Sequence, residues 1–386
     1  MKQRIFLKLL FLVIPFVAGA QHDAKPSHLQ YLLVGTYTSG KSEGIYIYKF
    51  NSNTGAFEYV NKATGIRNPS YLATSPDNKK VYAVNELHDN NNGGYVTAFS
   101  FDSKSAAMTR LNDQPSGGDD PCYVSIDKTG HWAIVANYSS GSFSVLPIRT
   151  DGSLGKPNTI FHHGIGFNKE RQAGPHVHST VLSPDNHYLY VSDLGLDKVM
   201  IYHFDEATGE LKPTIPGFGA TEPGSGPRHF IFHPSGKFAY LIEEMAGVVT
   251  AFRYDQKGQL KTIQTISSHP KGFKGDKGSA DIHISPDGKF LYASNRGDAN
   301  SLAIFSINTA SGLLKTLGFQ STLGKNPRNF SLDPSGKFLL VANQGSDNIV
   351  IFKRDPKTGK LVSTGKTIEV PTPVCIKWIP VPANSQ

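Results

Sequence analysis

One hairpin recurs along this 386-residue chain with the same punctuation, and that recurrence limits the fold more than any other feature of the sequence. Its clearest copy runs from Gly226 to Phe252, GPRHFIFHPSGKFAYLIEEMAGVVTAF. A Gly-Pro pair leads into a short apolar run beginning at Arg228, His233-Pro234-Ser235-Gly236 reverses the chain, and a second apolar run closes on Glu243-Glu244. Proline fixes φ for the second position of a tight turn and glycine suits the fourth, so Pro-x-Gly between two apolar runs predicts a hairpin. The leading residue of each copy falls at Pro69, Pro121, Pro175, Pro227, Ala280, Pro327 and Pro373. The turn returns as Ser75-Pro76-Asp77-Asn78, Ser183-Pro184-Asp185-Asn186, Ser285-Pro286-Asp287-Gly288 and Asp333-Pro334-Ser335-Gly336, with a proline-free version at Asp127-Lys128-Thr129-Gly130. A polar pair closes the second run each time: Asn85-Glu86, Asn137-Tyr138, Asp193-Leu194, Glu243-Glu244, Asn295-Arg296, Asn343-Gln344. A later turn at Thr54-Gly55, Thr208-Gly209, Ser311-Gly312 and Thr358-Gly359 introduces a fourth strand.

Four strands in each unit of about 50 residues is the pattern of a β-propeller blade, and nothing beyond the first twenty residues keeps a helical period. The seventh copy is split. Pro373 to Ile379 supplies one strand, and the remainder are expected at 32–37, 44–50 and 57–60. The predicted fold is therefore all-β: a seven-bladed propeller with four antiparallel strands per blade, closed by N- and C-terminal strands that share one blade and leave no free sheet edge.

Residues 1–20 stand apart. Lys2, Arg4 and Lys8 precede the apolar run Leu9 to Val17, and Ala18-Gly19-Ala20 offers a small-x-small cleavage site, the pattern of a secretory signal peptide. This run is too short to span a membrane comfortably. The expected organisation is a signal peptide at 1–20, one domain at 21–386, and an exported, periplasmic or secreted monomer. The net charge of +8 is carried largely by lysines at hairpin turns, which solubilise a rim and guard strand ends. Basic runs interleaved with aromatics are missing, so nucleic acid is not an expected partner. Cys122 and Cys375 fall a whole blade apart, too far for a disulfide, and are expected as buried free thiols.

In such a ring the start of each first strand and the end of each second strand open on the same mouth of the central channel. The charges there are uneven: histidine, arginine and glutamate gather in the three consecutive blades that follow Pro175, Pro227 and Ala280. Arginine beside a channel is costly unless a carboxylate or an anionic ligand meets it. Arg228, Arg296 and Glu244 are therefore the leading candidates, with His176, which takes the place in its blade that Arg228 takes in the next. The same ring offers His178, His229, Glu243, His283, Arg328 and Asn295 as substrate contacts. No spacing here fits a compact metal motif.

At these residues the chain resembles the seven-bladed propeller lactonases, a family that contains bacterial 6-phosphogluconolactonase and the fungal carboxy-muconate lactonizing enzyme. The resemblance rests on Gly174-Pro175-His176-Val177-His178-Ser179, Gly226-Pro227-Arg228-His229, Asp193-Leu194-Gly195-Leu196-Asp197, Ser294-Asn295-Arg296-Gly297 and Asn326-Pro327-Arg328-Asn329-Phe330, and it covers Tyr31 to Trp378. It implies a cofactor-free pocket made by His176, Arg228, Arg296 and Glu244, and a small anionic lactone or sugar acid as substrate. The expected activity is lactone hydrolysis, with Glu244 as base, His176 as the alternative base, and Arg228 and Arg296 as anion clamp and oxyanion stabiliser. The loop 271–277 is expected over the same face as a lid. Two other readings stay open: a muconate-type cycloisomerase, and a non-enzymatic exported binding module.

Overall fold

A computed structural model describes residues 28–88, 93–255 and 257–382, so the expected signal peptide lies outside the described residues. Within them the chain forms seven four-stranded antiparallel sheets. Each sheet starts from an inner strand at the axis: Leu72–Thr74, Pro121–Ile126, Val177–Leu182, Pro227–Phe232, Ser279–Ile284, Pro327–Leu332 and Pro373–Pro380. Every inner strand touches those of both neighbouring blades around the whole circle. Pro373–Pro380 pairs with Leu29–Thr36, followed outward by Gly44–Asn51 and Phe57–Thr64, so the two ends of the chain build one blade as expected.

The hairpin turns form because their side chains take over the backbone bonds that a reversal leaves open. In Ser285-Pro286-Asp287-Gly288 the Ser285 hydroxyl donates to the Asp287 carboxylate and accepts from the Phe290 N–H, while Gly288 takes φ +70°. Neighbouring blades are tied by a second recurring device. Tyr82, Tyr190, Tyr240 and Tyr292, each on a second strand, donate their phenols to the carbonyls of Gly152, Gly258, Gly312 and Gly359 in the outer turn of the next blade. These glycines cannot be replaced cheaply. At Gly312, φ is +79° and an added Cβ would lie 2.4 Å from the Phe238 ring.

The apolar core lies between blades, as layers of Val, Ile, Leu, Phe and Tyr from adjoining second and third strands. At the closing blade the Phe50 ring packs 5.2 Å from Trp378, whose indole N–H donates to Ser331 of the preceding blade. Cys122 and Cys375 are buried and unbridged.

Removing Pro373–Pro380 exposes the edge of Leu29–Thr36 and strips one wall from two interblade layers. A chain cut after Glu369 is expected to lose its single cooperative thermal transition, whereas substitutions in the exposed turn at Lys357 are expected to leave the circular-dichroism melting curve almost unchanged.

Candidate functional site

The axis is shaped by one extra residue near the start of six of the seven inner strands. Pro227 lies opposite Glu243 and His229 opposite Ile242, so Arg228 has no cross-strand partner and bulges out of register. The same slip isolates Cys122, His178, Arg328 and Val374. A bulge redirects a side chain, and here it turns one residue in each of these blades toward the channel. Ser70, Cys122, His178, Arg228, Arg328 and Val374 line a small cavity on the axis.

This register corrects two expectations. Ser279, not Ala280, lies opposite Asn295 and so occupies the place of the leading proline in its blade. His178, not His176, is the counterpart of Arg228, because Val177 lies opposite Asp193 as Pro227 lies opposite Glu243. His176 sits outside the strand, on the loop above it.

The polar pairs divide by strand alternation. First members turn sideways and fasten the inner hairpin to the chain arriving from the outer strand: Asn137 donates to the Ser116 carbonyl, Asn295 to the Ser268 carbonyl and Asn343 to the Thr322 carbonyl. Asp193 accepts from the His176, Gly195 and Leu196 amides. Glu243 holds the same position, so Asn295 and Glu243, expected as substrate contacts, are placed away from the mouth. Asn295 spends its amide on Ser268 and Ser279. Second members, among them Glu244, Arg296 and Gln344, line a mouth cavity of about 640 Å³ together with Asn168, Arg171, Asp276, Asn326 and Arg328.

Glu244 is the hub of that cavity. Its Oε2 accepts from Arg228 Nε at 3.0 Å and lies 2.8 Å from Arg296 Nη2, and its Oε1 accepts from Arg171 Nη2 at 2.9 Å. Burial would push the Glu244 carboxyl up, but Arg296, Arg228 and Arg171 outweigh it and hold the pKa down to about 2. Arg228 is only 1% exposed; burial, with Arg296 and Arg328 nearby, brings it down to about 10. Arg328 has no hydrogen bond to the described residues. Its nearest carboxylate is Glu86 at 3.8 Å, and its guanidinium lies 5.5 Å from the centre of the Tyr37 ring. Arg296, which lines the cavity, spends Nε on the Gly278 carbonyl and Nη2 on Glu244, leaving Nη1 without a partner among the described residues.

The histidines separate by depth. His176 is half-buried and is not among the residues that line the mouth cavity; its ring stacks on Tyr138 with centroids 4.6 Å apart and its Nδ1 lies 3.1 Å from the Tyr138 carbonyl. That contact places the proton on Nδ1 and leaves Nε2 as the acceptor. His178 and His229 lie lower, on the channel cavity. His229 bonds Asp281 at 2.7 Å, His283 meets the other Asp281 oxygen at 3.0 Å, and Asn329 donates to the same carboxylate. Burial, then Arg228, bring His229 down to about 4, and burial holds His178 well below the usual imidazole range, so both are neutral at pH 7.

Residues 31–378 match the family described as Lactonase, 7-bladed beta-propeller. The chain belongs to that family. A 6-phosphogluconolactonase of Bacillus subtilis is 38% identical over 348 residues, covering 90% of this chain and 97% of the relative. One from Formosa agariphila is 42% identical over 334 residues, covering 86% of this chain and 94% of the relative. Among solved structures, a periplasmic gluconolactonase of Pseudomonas aeruginosa is 40% identical and superposes with a TM-score of 0.87, over 92% of this chain and 100% of that one.

Within this lactonase fold, Arg171 is the site residue that the hairpin pattern did not disclose. It lies on 162–176, a connection far longer than its counterparts 116–120 and 322–326, and that insertion was its only sequence signal. Buried Gln172 pins the insertion by donating to the Leu194 carbonyl and to Asp197, and Asn168 Oδ1 caps the Glu170 and Arg171 amides. The loop 271–277 does reach the mouth, where Asp276 borders the cavity. It is fastened there by Lys277 to the Ala246 carbonyl and by the Asp276 amide to Asp298.

Adjacent carboxyls are thereby driven in opposite directions. Glu243, buried with no partner for Oε1, is pushed up to about 7 by burial. Its neutral form belongs to the fold, so its contribution is complete below pH 4.5 and is lost as pH rises through 7. Glu244 contributes above pH 4.5 and loses its contribution as pH falls toward 2. Each shift corresponds to about 3 kcal/mol. Glu243→Gln is expected to flatten the alkaline side of a plot of thermal midpoint against pH. Glu244→Gln is expected to flatten the acid side and to lower stability at pH 7 by roughly 3 kcal/mol, because buried guanidinium groups lose their counter-charge.

Proposed function

We infer that this chain is a lactone hydrolase acting on a sugar-acid lactone, in the manner of the 6-phosphogluconolactonases and gluconolactonase it resembles. The observation that carries the reading is the mouth itself: one carboxylate draws guanidinium groups from separate stretches of chain into a cavity of substrate size, and further cationic donors there are left unspent. Such a site suits a neutral ester that gains negative charge as it reacts.

In the mechanism we propose, the lactone carbonyl points at Arg296 and any carboxylate or phosphate on the substrate points at Arg328. His176 Nε2 takes a proton from water as the oxygen attacks the carbonyl carbon. The carbonyl becomes an oxyanion facing Arg296. Its collapse breaks the ring C–O bond, and the proton held on His176 passes to the departing ring oxygen, giving the open hydroxy acid. Glu244, expected from the sequence as the first-choice base, suits that role poorly: both of its oxygens are engaged and its carboxyl is held near 2. We assign it the positioning of Arg171, Arg228 and Arg296. Arg228, expected from the sequence in the pocket itself, lines the channel cavity instead and holds Glu244 from there, with Nε on Glu244 and Nη1 on the Ala280 carbonyl. We further propose that the chain is exported, from the signal pattern at 1–20 and the periplasmic setting named for the Pseudomonas relative.

Glucono-δ-lactone and its 6-phosphate, assayed side by side by proton release, test this reading. His176→Ala is expected to lower kcat by about 10²–10⁴ with little change in thermal midpoint, since the ring is half-buried on a loop. Arg328→Ala is expected to raise KM, more for the phosphorylated substrate if that is the natural one. A His176→Ala enzyme with undiminished kcat removes the base assignment, and failure to turn over any sugar lactone removes the hydrolase reading.

A further inference from the structure

Beneath the mouth, the tier of bulged residues encloses the small cavity lined by Ser70, Tyr71, Cys122, His178, Arg228, His229, Arg328, Asn329 and Val374. It leaves about 10 Å³ for the centre of a water-sized particle, enough for one small occupant. No carboxylate borders it, because Glu244, Glu86 and Asp281 already face Arg228, Arg328 and His229 from outside.

Its side chains are rich in donors. The Ser70 hydroxyl is buried with no partner. Arg228 spends Nε on Glu244 and Nη1 on Ala280 and His229, which leaves Nη2 unassigned, and Arg328 makes no hydrogen bond among the described residues. His178 is 4% exposed with Nδ1 facing the Cys122 sulfur at 3.7 Å, so Nε2 can carry its proton. Other polar groups here are satisfied: His229 by Asp281 and Arg228, and Asn329 by Asp281 and the Ile376 amide.

We propose that this chamber is a binding site for a small monovalent anion of the halide class. The lining brings two guanidinium side chains, a hydroxyl and an imidazole together with no carboxylate, a balance of charge that favours an anion over a neutral water. A halide accepts from all of them and relieves the repulsion between Arg228 and Arg328. An oxyanion as large as phosphate does not fit the space. Since Arg328 also lines the mouth and Arg228 holds the Glu244 carboxylate there, an occupant below steadies the groups above. The chamber is separate from the lactone position, so this proposal does not rest on the hydrolase reading.

The test uses the whole protein, purified without chloride. Crystals transferred into sodium bromide are examined for anomalous scattering, and thermal midpoints are compared in sodium bromide, chloride and fluoride at equal ionic strength. The expected result is a bromide peak within contact of Ser70 Oγ and Arg228. A midpoint a few degrees higher in bromide and chloride than in strongly hydrated fluoride should accompany it. Ser70→Ala, which removes the hydroxyl and adds no bulk, should weaken both effects; Ser70→Cys, which keeps the shape but offers only a weak donor, serves if the alanine variant does not fold. A chamber without anomalous density, with midpoints equal across the three salts, means an ordered water only and overturns the proposal. Halide binding in a protein that hydrolyses no lactone leaves this inference standing while the previous one falls, and the reverse outcome separates them equally well.

Discussion

Compensation of buried cationic charge is the interaction on which the mouth depends. A guanidinium as deeply enclosed as Arg228 is tolerable only beside a fixed negative charge, and Glu244 supplies it while also reaching Arg296 and Arg171. Arg171 and Arg296 arrive from the blades on either side of the one that holds Arg228 and Glu244. The cluster therefore exists only when three successive sheets are docked in register. Folding of the ring and assembly of the site are one event, and the interblade layers that align the sheets position the mouth as well.

Much of this was readable from residues. The recurring Pro-x-Gly turns, the polar pairs and the split seventh copy specify the ring and its closure because each reflects a local requirement: a fixed φ, a left-handed turn, or a sheet edge needing a partner. Arg228, Arg296, Glu244 and Arg328 were visible as charged residues where a blade needs none. What the pattern hid was the bulge. The leading residues are also not all equivalent: Pro175 lies two positions before Val177, the counterpart of Pro227, and Ser279 holds that place in its blade, so aligning copies by their prolines put His176 where His178 belongs and Ala280 where Ser279 belongs. Arg171 escaped for a different reason, since it sits on an insertion with no counterpart in the repeat.

Strand alternation explains why neighbouring residues of one motif behave so differently. Glu243 and Glu244 are joined by a single peptide bond, yet one faces the packed flank of its blade and the other a wall of arginines. Their proton affinities diverge accordingly. The first acid of the pair belongs to the scaffold, in the series of Asn137, Asn295 and Asn343, and the second to the site. A motif read as a unit in the sequence is two devices in space.

The shared blade also settles the geography of the chain's two extremities. Thr36 and Pro373 meet at the mouth, whereas Gln30 lies opposite Pro380 at the far side of the disc. The outer ends of both strands thus lie at the back of the molecule. A tether, fusion partner or solid support joined there would hold the disc by its reverse and present the cavity outward to whatever diffuses past.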